Sequence, residues 1–209
     1  KLWDVASGQE IRTFTGNSWQ VTSAALSPDA RTALLGGEDK TLRLWDVAGG
    51  REVRTFKGHT TTVRSVALSP DGRTALSGSR GGTLRLWDVA SGHEIRTFTG
   101  HPGPVEAVAF SPDGRLALSG GSLLRSGGIM KLWDIASGRE IKTFSGHSKY
   151  VTAVAFSPDG RTVLFGGRDA TLKFWDVDSG REIRAFKGHS WSVESVAFSP
   201  DGRMVLSGG

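Results

Sequence analysis

The sequence predicts an all-β fold built from one repeated unit, and three observations support this prediction. The stretch from Gly146 to Lys187 contains four apolar runs of four to six residues, rich in Val, Ile, Leu, Phe, Thr and Trp. Runs of this length and composition favour strands over helices. Turn-forming residues separate the runs at 157–160, 166–169 and 178–180. Four strands joined by three tight turns predict one antiparallel meander.

The third observation is that the unit recurs along the whole chain. Gly-His pairs occur at Gly58-His59, Gly100-His101, Gly146-His147 and Gly188-His189. Trp-Asp pairs occur at Trp3-Asp4, Trp45-Asp46, Trp87-Asp88, Trp133-Asp134 and Trp175-Asp176. A period of about 40–45 residues that starts with Gly-His and ends with Trp-Asp is the signature of one propeller blade. The chain therefore resembles the WD40 repeat family over essentially its full length, which implies a WD40 β-propeller of four-stranded antiparallel blades.

The repeats divide the single domain, residues 1–209, into five blades' worth of strands. Complete repeats span 16–57, 58–99, 100–145 and 146–187, whereas 1–15 hold the third and fourth strands of a blade and 188–209 its first and second. Joined, the two ends make one blade that lacks about five residues of its middle turn. Pairing them would cover two open sheet edges. Closure within one chain is favoured; a fragment of a larger propeller and completion by a second chain stay open.

Composition excludes several classes of protein. The 209 residues include no cysteine, which excludes disulfides and thiolate metal sites and fits a reducing, cytoplasmic location. No apolar run approaches the ~20 residues that span a bilayer. The net charge is +5, but arginine recurs in each repeat, so the charge is spread around the ring. These arginines are Arg31, Arg73, Arg115, Arg161, Arg203, Arg12, Arg54, Arg96 and Arg184. We expect a solvated surface and no nucleic-acid or membrane partner.

One repeat is longer than the others. The Trp-to-Trp spacings are 42, 42, 46 and 42, and the four extra residues fall in the turn at 121–128. This turn carries Leu123, Leu124 and Arg125. Either its leucines fold onto their neighbours, or the loop protrudes to contact a partner.

The histidines of the Gly-His pairs do not predict a metal site. A ring holds them on different blades, whereas a metal needs its ligands within about 2.0–2.2 Å. The resemblance implies instead a structural network that links the His to a turn Asp, a second-strand Ser or Thr, and the Trp. The network residues are Trp3, Asn17, Asp39, Trp45, His59, Ser77, Trp87, His101, Ser119, Trp133, His147, Asp169, Trp175, His189 and Ser207. No blade has all four groups, because Leu35, Gly81 and Phe165 stand where network residues are expected.

Catalytic motifs are absent from the sequence. It contains no nucleophile elbow, no phosphate-binding loop and no cysteine nucleophile. Glu106 and Glu194 occupy matching places in first strands, and glycoside hydrolysis needs two carboxylates about 5–10 Å apart. The simpler interpretation is that both lie on the rim, available to a partner. We predict no catalytic residue and no cofactor.

Partner binding is predicted at positions that differ between repeats, because identical blades give no specificity. The resemblance implies that the loops after Gly-His and the turns between second and third strands lie on one top face, where partners dock. Interface hot spots favour Trp, Tyr and Arg. The predicted partner-binding residues are Trp19, Arg64, Glu106, Leu123, Leu124, Arg125, Lys149, Tyr150, Arg168, Trp191 and Glu194. If five blades close within one chain, Trp19, Tyr150 and Trp191 form an aromatic arc; alternatively, each tryptophan packs over its own blade edge.

The favoured function is a non-enzymatic scaffold that binds a protein or peptide. The near-identical repeats and the recurring Ser-Pro-Asp-Gly-Arg motif resemble those of bacterial WD40 proteins. In these proteins such arrays are often joined to kinase or NTPase domains. Two alternatives stay open. One is a recently amplified or engineered repeat protein without an evolved ligand. The other is a five-bladed carbohydrate-binding protein or glycosidase.

Overall fold

The computed structural model describes residues 1–14, 20–122, 127–147 and 149–209, and these form only strands, turns and irregular segments. Twenty strands make four four-stranded and two two-stranded antiparallel sheets. The predicted all-β class and four-stranded meanders are confirmed. Within the described ranges, no helix has the length and apolar character needed to cross a membrane.

Each complete sheet corresponds to one predicted repeat and is called a blade. Blade 1 comprises β3 (Val21–Leu26), β4 (Thr32–Gly37), β5 (Leu42–Asp46) and β6 (Arg51–Phe56). Blade 2 comprises β7 (Val63–Leu68), β8 (Thr74–Ser79), β9 (Leu84–Asp88) and β10 (Glu94–Phe98). Blade 3 comprises β11 (Val105–Phe110), β12 (Leu116–Ser122), β13 (Gly128–Asp134) and β14 (Glu140–Ser145). Blade 4 comprises β15 (Val151–Phe156), β16 (Thr162–Gly167), β17 (Thr171–Asp176) and β18 (Glu182–Lys187).

The two short sheets lie at the ends of the chain. The N-terminal half-blade consists of β1 (Leu2–Trp3) and β2 (Glu10–Arg12). The C-terminal half-blade consists of β19 (Ser195–Phe198) and β20 (Val205–Gly208). In this structure they are separate two-stranded sheets. The joining of the two ends into one blade therefore stays a prediction.

The core lies between blades, because the middle strands are buried on both faces. The first strands of successive sheets, β3, β7, β11, β15 and β19, contact one another in order. Between blades 1 and 2, Leu34 and Phe56 pack with Val63 and Trp87. Glycine permits this close stacking: a β-carbon built on Gly78 would lie only 3.0 Å from Val108 Cγ1 of the next blade. Each buried Val, Leu or Phe contributes about 1.5–3 kcal/mol, so inter-blade packing supplies most of the stabilisation.

The first strands of blades 1 to 4 and of the C-terminal half-blade line one central opening, which we call the channel. At one end, a cavity of about 430 Å³ is lined by residues of all five Ser-Pro-Asp turns, including Pro28, Pro70, Pro112, Pro158 and Pro200. Hydrogen bonds within each turn hold its shape. In blade 2, Ser69 Oγ donates to Asp71 Oδ1 at 2.6 Å, and the Arg73 amide donates to the same oxygen at 3.0 Å. The hydrogen bond from Ser69 lowers the pKa of Asp71. The fourth turn residue has positive φ, at 69° for Gly72 but also at 55° for Ala30, where a β-carbon is strained.

Two sequence-based expectations need correction. The insertion was placed at 121–128, but β12 continues through Ser122 and β13 begins at Gly128, so strand pairing takes up both ends of it. Arginines of the last strands were assigned to solvated surface, yet three of them join neighbouring blades. Arg12 Nη2 donates to the Ala48 carbonyl at 2.8 Å, and Arg54 Nη1 donates to the Ser91 carbonyl at 2.8 Å. Arg96 donates to the carbonyls of Ala136 and Ser137 in the same way.

Candidate functional site

In blades 1 to 4, a β-bulge near the start of the first strand aims one side chain into the channel. In blades 1 to 4 the strand register shifts around the second residue of β3, β7, β11 and β15. The residues at these shifts are Thr22, Arg64, Glu106 and Thr152. Glu194 holds the same position beside β19, where its amide donates to the Gly208 carbonyl at 2.8 Å. A bulge leaves one residue out of the ladder and re-aims its side chain.

The four bulge residues and Glu194 line one cavity of about 540 Å³, which we call the mouth. The hydroxyl groups of Thr22 and Thr152 already make hydrogen bonds to the backbone of the next sheet. Thr22 Oγ1 donates to the Val63 carbonyl at 2.5 Å, and Thr152 Oγ1 donates to the Val193 carbonyl. Arg64, Glu106 and Glu194 supply charge. A fourth charged residue, Arg168, reaches the same cavity from the turn after β16.

The charges of the mouth are arranged as one engaged pair and two exposed groups. Arg64 Nε of blade 2 lies 3.5 Å from Glu106 Oε2 of blade 3, an ion pair that spans two blades. Glu106 is the more buried partner, with 17% of its side chain exposed against 38% for Arg64. Arg168 and Glu194 are both exposed. Partly buried pairs of this kind set orientation and specificity more than affinity.

Among the described residues that line the mouth, neither Tyr150 nor Trp191 is found. Arg168 stacks over Tyr150, with its guanidinium carbon 5.2 Å from the ring centroid, and its amide donates to the Tyr150 carbonyl at 2.8 Å. Lys149 is exposed next to it. Trp191 is 82% exposed, so it does not pack over its own blade edge in this structure. Among the described residues, no ring contact joins Tyr150 to Trp191.

Several predicted residues lie outside the described part of the chain. These are Asn17, Trp19, Leu123, Leu124 and Arg125. The aromatic arc, which needs Trp19, and the role of the inserted loop therefore stay predictions.

The structural network is most complete in blades 2 and 3. Ser77 Oγ accepts a hydrogen bond from Trp87 Nε1 at 2.8 Å and lies 2.6 Å from His59 Nε2. Since that oxygen accepts from the tryptophan, its proton is available to the histidine. Ser119 joins Trp133 and His101 at the same two distances in blade 3. Burial, together with a smaller effect of a neighbouring cation, lowers the pKa of both His59 and His101 to about 4, so these histidines are neutral at pH 7.

The network is interrupted where the sequence replaces its hydroxyl. In blade 4, His147 Nδ1 lies 3.0 Å from Asp169 Oδ1, but Phe165 fills the place of the serine. Within the described part of the chain, His147 Nε2 and Trp175 Nε1 are buried without a hydrogen-bond partner. In blade 1, Asp39 accepts from Thr41 and Arg43 while Trp45 Nε1 has no partner among the described residues. In the C-terminal half-blade, His189 Nε2 lies 2.8 Å from Ser207 Oγ.

One kind of residue in this network, a threonine near the start of the third strand, is not among the residues predicted from the sequence. Gly81 removes the turn aspartate of blade 2, but Thr83 Oγ1 lies 3.1 Å from His59 Nδ1 and takes its place. Thr171 and Thr41 hold the equivalent position in blades 4 and 1, where they donate to Asp169 and Asp39. The sequence signal is a threonine at or just before the start of three of the third strands.

The charged and titratable groups of the site form few clusters. In the described residues, no three His, Asp or Glu side chains come together as metal ligands. Of the two carboxylates at the mouth, Glu106 is engaged by Arg64. The mouth is a polar opening whose charged side chains are held by neighbouring strands and turns.

Comparison with protein families agrees with this geometry. The family model described as WD domain, G-beta repeat matches residues 8–46, 50–88, 92–134, 138–176 and 180–209. Each full match starts near the last strand of one sheet and ends with the Trp-Asp pair of the next. WD40 repeats typically form scaffolds for protein–protein interaction and are generally non-catalytic. The chain belongs to the WD40, or G-beta repeat, family.

Proposed function

We propose that this chain is a non-catalytic scaffold that binds a protein through an extended peptide segment laid across the mouth. The observation that supports the proposal is that five corresponding positions, the four bulge residues and Glu194, line one cavity of about 540 Å³. The packing residues are nearly the same in every repeat, whereas these positions read Thr22, Arg64, Glu106, Thr152 and Glu194. The side chains therefore differ most between repeats at the positions that a ligand in the mouth would contact.

The charges indicate the chemistry of the partner segment. Glu194 is an exposed carboxylate, and no ion pair of it is found among the described residues, so it suits a lysine or arginine of the partner. Arg168 is exposed and stiffened by its stacking on Tyr150, so it suits an acidic side chain or a carbonyl oxygen. We infer a segment that carries both signs of charge, flanked by apolar residues for Tyr150 and Trp191.

A peptide selection tests the proposal. A displayed library of random twelve-residue peptides would be panned on the wild-type chain, and selected peptides would be titrated against variants. We expect Arg168→Ala and Glu194→Gln each to weaken binding about 10-fold or more, which corresponds to about 1.4 kcal/mol. Arg115→Ala is the matched control, since Arg115 is an exposed cation beside the turns at the other end of the channel and its loss should change nothing.

Two outcomes would overturn the proposal. Selected peptides whose affinity is unaffected at Arg168 and Glu194 would move the binding surface elsewhere. A selection that enriches no peptide would favour a repeat array without an evolved ligand.

A further inference from the structure

We propose that the mouth holds its partner by the main chain of an extended segment, at a subsite between blades 3 and 4 where the Val154 amide lies open beside Glu106. This inference deepens the proposed function and rests on it, because it names the chemical group that the mouth recognises. That group is a peptide bond, whose carbonyl accepts from the Val154 amide and whose N–H donates to Glu106.

Serine side chains cap the innermost strands of blades 2 and 3. Ser23 Oγ of blade 1 accepts a hydrogen bond from the Val66 amide of blade 2 at 3.1 Å. Ser65 Oγ of blade 2 accepts one from the Val108 amide of blade 3 at the same distance. Because these amides bond to the preceding blade, they point away from their own sheet, at the strand edge that faces the channel. Such an edge carries unpaired backbone groups unless something covers it.

The serine cap is missing between blades 3 and 4. Ala107 holds the position of Ser23 and Ser65, directly after the bulge of its first strand. Val154 of blade 4 holds the same place in its sheet as Val66 in blade 2. Since alanine offers no acceptor, the Val154 amide has no side-chain partner among the described residues.

The exposure of the valines agrees with the loss of the cap. Val66 and Val108 are 6% and 7% exposed, whereas Val154 is only partly buried. A β-carbon on Gly120 would lie 2.7 Å from Val154 Cγ1, so this side chain packs on blade 3 as closely as Val108 packs on blade 2. The difference therefore lies on the side of the channel, where the hydroxyl is absent.

Glu106 supplies an acceptor next to the open amide. It directly precedes Ala107, and both residues line the mouth together with Val154. Its only described side-chain partner is Arg64, whose Nε lies 3.5 Å away and has no hydrogen-bond partner among the described residues. An ionised carboxylate can accept about four hydrogen bonds. Glu106 therefore keeps its capacity to accept, with 17% of its side chain exposed.

A neutral group fits this subsite better than a charged one. A carboxylate would meet the like charge of Glu106, and a basic side chain would meet the like charge of Arg64. A peptide bond carries no net charge, yet it offers the carbonyl that the Val154 amide lacks and an N–H for Glu106. Peptides that add to an open sheet edge gain affinity from main-chain hydrogen bonds of this kind. The charged side chains of the partner then remain for Arg168 and Glu194.

Amide hydrogen exchange, followed by NMR on the isotope-labelled chain, tests the open amide before any partner is added. We expect the Val154 amide to exchange at least ~10-fold faster than the capped amides of Val66 and Val108, because it lacks their acceptor. Ala107→Ser should slow this exchange to the rate of the capped amides. Equal rates for all three amides in the wild-type chain would overturn the proposal.

The twelve-residue peptides selected on the wild-type chain are the probes for the subsite. Ala107→Ser introduces the residue that blades 1 and 2 carry at this position, so the variant should fold, and its hydroxyl should compete for the Val154 amide. We expect peptide binding to weaken about 10-fold, the loss expected for one hydrogen bond. Ala109→Ser is the matched control, since Ala109 lies two residues further along β11 and lines the cavity at the other end of the channel. It should leave the affinity unchanged.

Ester substitution in the peptides tests the hydrogen bond to Glu106. Replacing one peptide bond at a time by an ester removes a single N–H, and we expect one position to lose about 10-fold in affinity. That loss should disappear in Glu106→Ala, where the acceptor is gone.

The outcomes separate this subsite from the proposed function. Peptides that need Arg168 and Glu194 but tolerate Ala107→Ser and every ester would overturn the main-chain subsite and leave the proposed function intact. A selection that enriches no peptide, or only peptides that are insensitive at Arg168 and Glu194, would overturn both.

Discussion

Blades 2 and 4 share a backbone and a repeat, but they differ in one buried side chain. Blade 2 places Ser77 between His59 and Trp87, and all three polar groups are satisfied. Blade 4 places Phe165 at the same point, where its ring centroid lies 5.6 Å from that of Phe144, and His147 Nε2 and Trp175 Nε1 have no hydrogen-bond partner among the described residues. Two different solutions therefore hold the same four strands together.

The difference teaches that the His–Ser–Trp network does not determine the fold. Phe165 is completely buried and joins the cluster that also holds Leu118 and Val151. The added apolar contacts offset the unmade hydrogen bonds, since burying a phenylalanine and leaving a polar group unpaired have comparable magnitudes. The network of blade 2 makes the surroundings of the buried Ser77 hydroxyl rigid. Removing this hydroxyl without an apolar replacement should lower the free energy of unfolding.

The largest expected effect on stability comes from removing the Ser77 hydroxyl in blade 2. Ser77→Ala leaves His59 Nε2 and Trp87 Nε1 buried without partners and should lower the free energy of unfolding by about 2–4 kcal/mol. Urea denaturation measures this. Ser145→Ala, on an exposed strand position, should change stability by less than ~0.5 kcal/mol. Equal effects of the two substitutions would contradict the role assigned to the network.

A pH effect should follow from the neutral histidines of blades 2 and 3. Burial lowers the pKa of His59 from 6.5 to about 4, so the unfolded chain binds a proton more readily than the native one. The stabilisation is complete above pH 6.5 and is lost as the pH falls from 6.5 towards 4. Each of His59 and His101 should account for about 2 kcal/mol of lost stability at pH 5. Unfolding at pH 7 and pH 5 measures it, and His59→Asn should reduce the difference.

Matched tryptophan substitutions should separate the two blades directly. Trp87→Phe removes a satisfied donor, whereas Trp175→Phe removes one that has no partner among the described residues. Both lose similar volume, so Trp87→Phe should destabilise the protein by about 1–2 kcal/mol more than Trp175→Phe. Parallel urea titrations give the difference. A larger cost in blade 4 would show that Trp175 matters through its packing alone.

The smallest expected effect extends the comparison to the turns. Ala30 in blade 1 has φ of 55°, where blade 2 has Gly72 at 69°. Ala30→Gly should stabilise the protein by about 0.5–1 kcal/mol, and Gly72→Ala should destabilise it by about 1 kcal/mol. Thermal unfolding of the two variants measures both signs. A loss of stability in Ala30→Gly would mean that chain entropy outweighs the relief of strain.

Local sequence sufficed for the fold because each strand and turn is specified by residues close together. The Ser-Pro-Asp turns, the four runs per repeat and the Trp-Asp ends all lie within one period, and the structure confirms the all-β class they predict. The exchange at Phe165 was also visible as a substitution. Its consequence could be seen only in the structure. Phe165 fills the core, and among the described residues the ring nitrogens His147 Nε2 and Trp175 Nε1 have no partner.

Features that join blades could not be predicted from one repeat. Arg12 and Arg54 looked like surface charge, because their carbonyl acceptors lie 36 and 37 residues away. The bulge that aims Arg64 and Glu106 into the channel depends on the register between strands and leaves no mark in composition. Their variability did indicate a site, although the binding role of these residues stays a prediction.

The bulge has a consequence for how such a protein can change. Because the bulged residue stands outside the ladder, a mutation there alters the mouth and at most one polar contact to the next blade, such as that of Thr22 with the Val63 carbonyl, and it leaves the apolar packing between blades intact. Duplication of a repeat copies an intact structural module together with one replaceable surface residue. A lineage of such chains can therefore explore new ligands by single substitutions at a few positions, with little risk to folding.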